Sequence, residues 1–120
     1  MVTVTVSGDQ GSSASVEWYE GMNAQNALEE AYSFITFAVQ YYGADLGYYA
    51  IMFNGVYDLP NDGLYWEFFY NGKSSSTGID STILNDGDAI SFENVSYNEA
   101  THKGTSLEIK HRAAQKLAAK

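Results

Sequence analysis

Few residues in this chain are suited to covalent or metal chemistry, and they are unevenly placed. Both histidines, His102 and His111, fall within residues 101–120, so residues 1–100 hold no Ser–His–Asp set. There is no cysteine, which excludes thiol catalysis, disulfides and cysteine-ligated zinc. Carboxylates are plentiful but fall at loop and exposed strand positions, where solvation accounts for them. A non-enzymatic protein is expected. Asp58, Asn61 and Asp62 share one loop and Asn85, Asp86 and Asp88 another. Oxygen ligands on a turn suit Ca²⁺, yet neither loop fits D-x-[DN]-x-[DN]-G with its distal Glu. Asp and Asn also favour turns because they bond their own backbone. No metal and no resident cofactor is expected.

The remaining chemistry is aromatic. Gly63–Lys73 reads GLYWEFFYNGK. As a strand it places Leu64, Trp66, Phe68 and Tyr70 on one face and Tyr65, Glu67 and Phe69 on the other. Both faces carry large apolar groups, as in a central strand. Trp66, Phe68 and Trp18 are expected to pack on Leu28, Phe34 and Ile35. The opposite face is either an exposed aromatic patch, of the kind that marks a binding surface, or is covered by the loop 55–63. If open, this face of Tyr65, Glu67 and Phe69 would stack its Tyr and Phe rings on a planar ligand or sugar ring, or anchor a protein partner, with Tyr48, Tyr70 and Asn71 at the rim.

The elements that would position these residues follow from hydrophobic period. Val2, Val4 and Val6 alternate with Thr3, Thr5 and Ser7, giving a half-buried strand, and Ala14, Val16 and Trp18 give a second that pairs back on it. Asn23 suits an N-cap. Ala24, Ala27, Leu28, Ala31, Phe34, Ile35, Ala38 and Val39 form a helical stripe, predicting a helix over about 23–42 that ends at Gly43. Residues 48–53 read as a strand ending at Asn54-Gly55. The Trp66 strand ends at Asn71-Gly72, a strong hairpin signal because both residues tolerate positive φ. Ala89 to Val95 reads as the last strand.

The chain has 120 residues, enough for one core. It contains no apolar run of about 18 residues, the length a membrane helix needs, and Met1 opens directly into a strand pattern with no signal peptide. The net charge of −9 is asymmetric: 14 acidic residues face one basic residue in 1–99, while 100–120 hold Lys103, Lys110, Arg112, Lys116 and Lys120 against Glu108. So acidic a body repels nucleic acid and anionic lipid. The basic tail suits a helix or a flexible linker, and Leu107-Glu108-Ile109 could equally extend a strand; its roles left open are docking on an acidic surface, its own or a neighbour's, meeting an anionic membrane surface, or joining domains.

Three stretches carry a family resemblance. Glu20-Gly21 with Asn26-Ala27-Leu28-Glu29-Glu30-Ala31, Tyr65-Trp66-x-Phe68-x-Tyr70-Asn71-Gly72, and Leu84-Asn85-Asp86-Gly87-Asp88-Ala89-Ile90-Ser91-Phe92 resemble, in order and spacing, the transcobalamin C-terminal-like domain of unknown function. Bacterial surface proteins carry that domain, which is related to the β domain of intrinsic factor and transcobalamin. The resemblance implies an extracellular or cell-surface, non-enzymatic domain. The expected architecture is an α+β, β-grasp (ubiquitin-like) domain over 1–95, one helix on a four- to five-stranded mixed sheet, with a basic extension over 96–120. The expected function is presentation of the aromatic face, through Tyr48, Tyr65, Glu67, Phe69, Tyr70 and Asn71, to a small planar ligand, cobalamin being the named candidate, or to a glycan. The alternative is a structural or adhesive spacer that meets other surface-protein domains and takes no small ligand.

Overall fold

The computed structural model describes residues 1–97 and 106–118. The valine alternation forms β1 (Val2–Val6), which pairs antiparallel with β2 (Ser12–Val16). The capping box is the reciprocal pair Asn23 and Asn26: each side chain bonds the other's backbone N–H, and together they start α1 (Ala24–Glu30). Three strands follow: β3 (Phe37–Tyr41), β4 (Tyr48–Phe53) and β5 (Val56–Tyr57). Then come β6 (Leu64–Tyr70), β7 (Lys73–Ser74) and β8 (Ala89–Ser96), and finally α2 (Ser106–Ala118). One sheet has the order β2-β1-β8-β6-β7 and a second the order β3-β4-β5. β8 lies parallel to β1, from Thr3 opposite Ala89 to Val6 opposite Phe92, and antiparallel to β6.

The α+β class stands, but one helix and one sheet do not suffice to describe the chain. The helix expected over 23–42 stops at Glu30. Beyond it, Phe34 to Tyr42 is rich in aromatic and β-branched residues, which lose side-chain freedom against a helical turn and fit a pleated surface. Thr36 and Asn54 exchange hydrogen bonds, which seats β3 antiparallel on β4. Gly43, with φ +106°, turns the β3–β4 hairpin and caps no helix. Phe34 is consequently 72 % exposed, not core. The two Asn-Gly signals do form two-residue turns, between Phe53 and Val56 and between Tyr70 and Lys73, with positive φ at all four residues.

The main core contains Val2, Val4, Leu28, Ile35, Trp66 and Phe68, with Trp18 partly buried against it. Phe53 joins the second sheet to this core, with ring centroids 5.0 Å from Trp66 and 4.5 Å from Phe92, and Phe68 stacks on Phe92 at 5.2 Å. The inner face of β6 is thus buried as expected. No helix among the described residues is long and apolar enough to cross a membrane.

Candidate functional site

The outer face of β6 is also covered, and α2 covers it. Tyr65 is 1 % exposed, and its hydroxyl lies 2.9 Å from His111 Nδ1 of α2. The His111 ring stacks on Tyr97 at 3.8 Å. Glu67 is 2 % exposed and accepts a hydrogen bond from Ser74 Oγ at 3.0 Å. Phe69 is half-buried. The loop 55–63 lines the same clefts as Tyr65 through Tyr57, Asp58 and Pro60, and it supplies one decisive residue.

That residue is Asp58. Beyond its short pairing with β7, the edge of β6 away from β8 has no neighbouring strand at Trp66 among the described residues. The Trp66 N–H donates to Asp58 Oδ1 at 2.7 Å, and the Trp66 carbonyl accepts from Lys110 Nζ at 2.9 Å. The same ammonium donates to the Ala50 carbonyl of β4 and lies 3.2 Å from Asp58 Oδ2. One lysine of α2 thereby closes the seam between the two sheets. Burial pushes the Asp58 carboxyl up, against the pull of Lys110 and the Trp66 N–H. It pushes the Lys110 ammonium down, against the pull of Asp58.

A cleft of about 160 Å³ opens beside this pair, lined among others by Tyr42, Ile51, Tyr57, Tyr65, Lys110 and Ala114. Burial, and next the Asp58 charge, raise the Tyr42 phenol well above its usual range, and burial raises Tyr65 in the same sense. Both stay protonated donors at neutral pH. The cleft offers aromatic edges, phenolic donors and one buried ion pair, which suits orienting a small flat group.

The six residues expected to form one site are divided among three places. Tyr65 lies under α2, with Glu67, bonded to Ser74, and Phe69 farther along the same face. Tyr70 and Asn71 form a corner with Asp88: the Tyr70 hydroxyl donates to Asp88 Oδ2 at 2.5 Å and Asn71 Nδ2 to Oδ1 at 3.0 Å. Tyr48 belongs to the second sheet, its ring 4.9 Å from Tyr41. Each turn cluster considered for Ca²⁺ has one carboxylate engaged by the protein itself. Asp58 serves Trp66 and Lys110, and Asp88 serves Tyr70, Asn71 and the Asn85 N–H. No group of three or more His, Asp or Glu able to hold a metal occurs among the described residues.

Sequence reasoning missed Tyr42, Tyr57, Lys110 and His111. A signal for Lys110 was present. Leu107, Lys110 and Ala114 follow a helical i, i+3, i+7 spacing, so a lysine occupies the apolar stripe of α2 and needs a buried partner.

Residues 20–96 match the family described as Domain of unknown function (DUF4430); α2 lies beyond that segment. No curated protein matches the chain in sequence. Among the solved structures that share its fold are the two that follow. Haptocorrin in complex with Cbi aligns with a TM-score of 0.71 and 22 % identity, over 81 % of this chain and 25 % of that one. This chain thus spans a quarter of haptocorrin. A protein from Ruminococcus gnavus ATCC 29149 proposed to bind metal aligns with a TM-score of 0.63 and 20 % identity, over 81 % and 97 %. The expected resemblance to a transcobalamin-like domain of unknown function holds.

Proposed function

We propose that this chain, which belongs to the DUF4430 family, is a binding module of β-grasp architecture that takes a flat group of a small ligand at the cleft beside β6. In this reading it turns over no substrate and works outside the cell. The β-grasp assignment is supported by the order β2-β1-β8-β6, with α1 following the first hairpin and the outer strands of the chain parallel. The ligand reading is carried by one observation: Tyr42, Tyr57 and Tyr65 converge on a cleft above the buried Asp58–Lys110 pair. Aromatic walls around a few fixed polar groups are the usual make-up of a small-molecule site. The volume selects the ligand. Drug-sized sites measure roughly 300–1,000 Å³, so about 160 Å³ admits one ring or side group and not a whole macrocycle. A corrinoid would lie across the mouth with one edge inserted.

A specific observation favours a second reading, a structural or adhesive spacer. The face that would have to be open for Tyr65 to meet a ligand directly is covered at Tyr65 by a helix of the same chain. Titration of cyanocobalamin against intrinsic Trp and Tyr fluorescence separates the two. The ligand reading expects saturable quenching, weakened about fivefold in Tyr57→Ala, which removes one aromatic contact. Absence of quenching beyond the inner-filter effect at high micromolar ligand leaves the spacer reading.

A further inference from the structure

We propose that Lys110 and Asp58 form an intramolecular isopeptide bond, an amide between Nζ and Cγ that ties α2 covalently to the body. The two side chains are only 1 % and 8 % exposed, with Nζ 3.2 Å from Oδ2. A tetrahedral ammonium nitrogen has three N–H directions. Two are taken by the Ala50 and Trp66 carbonyls, and the third faces the Asp58 carboxyl. Moving one proton from Nζ to Oδ2 leaves an amine still donating to both carbonyls, with its lone pair directed at the carboxylic acid. Burial favours that neutral pair, since it disfavours the charged form of each partner. Reacting groups held at this separation by fixed neighbours gain the rate advantage of an intramolecular reaction.

The electrophile is prepared as well. The Trp66 N–H donates to Asp58 Oδ1 at 2.7 Å. As the amine adds to Cγ, an electron pair moves onto Oδ1, and that fixed N–H stabilises the developing charge as an oxyanion hole does. The surplus proton on nitrogen passes to the Oδ2 hydroxyl. The Cγ–Oδ2 bond breaks, and Oδ2 leaves as water into the adjoining cleft. One N–C bond forms, one C–O bond breaks and one water is released, with no oxidant, reductant or other co-reactant. The amide keeps one N–H for one of the two carbonyls. The bond is independent of any ligand at the cleft.

The test is the intact mass of the purified full chain, shown folded by circular dichroism, incubated at neutral pH and then denatured. The expected mass is lighter than the sequence by one water. Trypsin should yield a branched fragment joining residues 1–73 to 104–112, uncleaved after Lys110. Lys110→Arg keeps a cation in place but supplies no amine nucleophile, and is expected at full mass. A folded wild-type chain at full mass overturns the proposal. So does a water loss that fragmentation places at Asp62-Gly63 or Asp86-Gly87, where cyclisation to a succinimide also releases water; such a loss would persist in Lys110→Arg.

Discussion

The two faces of β6 are buried to the same depth by opposite means. On the inner face Trp66 and Phe68 meet Phe53 and Phe92 in an aromatic cluster. That contact is non-directional, and its strength follows buried area and packing. On the outer face Tyr65 and Glu67 are just as inaccessible, yet their described contacts are specific: a phenol to an imidazole, and a serine hydroxyl to a carboxylate. At their margin a lysine satisfies two carbonyls and a carboxylate at once. Burial of polar groups is favourable only when each finds its partner. The inner face therefore belongs to the cooperative core, and the outer face to an attachment that is either fully made or lost.

The largest effect should come from the inner face. Phe68→Ala removes a stacked ring and leaves a cavity, at a cost of about 3–5 kcal/mol. The denaturant midpoint should fall with one cooperative transition seen by all probes. Lys110→Met tests the outer face and, measured against the chain whose Asp58–Lys110 pair is still unlinked, should cost about 3 kcal/mol, near the lower limit for breaking a buried ion pair. It should act locally. Amides of α2 should exchange roughly a hundredfold faster while those of β1 and β8 stay protected. The effect should also depend on pH. Without Lys110, burial raises the folded Asp58 carboxyl above its unfolded value of 3.8. A raised carboxyl contributes stability below that value and loses it as pH rises through the folded one, so α2 of the variant should dock better near pH 4 than at pH 7. Global unfolding of Lys110→Met, indistinguishable from that of Phe68→Ala, would abolish the distinction between the faces.

The same contrast explains what was legible in the sequence. Period-2 valines, the Asn23 cap and both Asn-Gly turns are local signals, and each produced its element. So did the inner face of β6, since its neighbours are apolar wherever they come from. The long helix failed because apolar spacing at 34–39 fits a helix and a half-buried strand alike, and pairing with β4 decided between them. The outer face could not be read. Its cover lies beyond the family segment, and the contact depends on one lysine meeting one aspartate across 52 residues, from position 58 to 110. Asp58 looks like ordinary turn chemistry, and Lys110 like part of a solvated basic stripe, until the two are placed side by side.

The smallest effect belongs to the end of β6, where the inner face reaches solvent and takes a polar anchor of its own. Tyr70 donates to Asp88, which also accepts from Asn71 and the Asn85 N–H. Partial burial raises the Asp88 carboxyl, but these donors outweigh it and hold it below 3.8. A depressed carboxyl contributes stability above its unfolded value and loses it as pH falls through the folded one. The corner should therefore be intact at pH 7 and weaken below about pH 4. Tyr70→Phe removes one donor and moves the folded carboxyl back toward 3.8. Its acid-unfolding midpoint should rise slightly, with the stability at neutral pH little changed because the site is open to water. Asp58 accepts one backbone N–H and one side-chain donor, Asp88 one backbone N–H and two side-chain donors. They differ chiefly in access to water, which sends their protonation equilibria in opposite directions and makes the lysine of α2 indispensable to the first while no single donor is to the second. An acid midpoint that moved as far in Tyr70→Phe as in Lys110→Met would show that partner count, not burial, separates the two carboxylates.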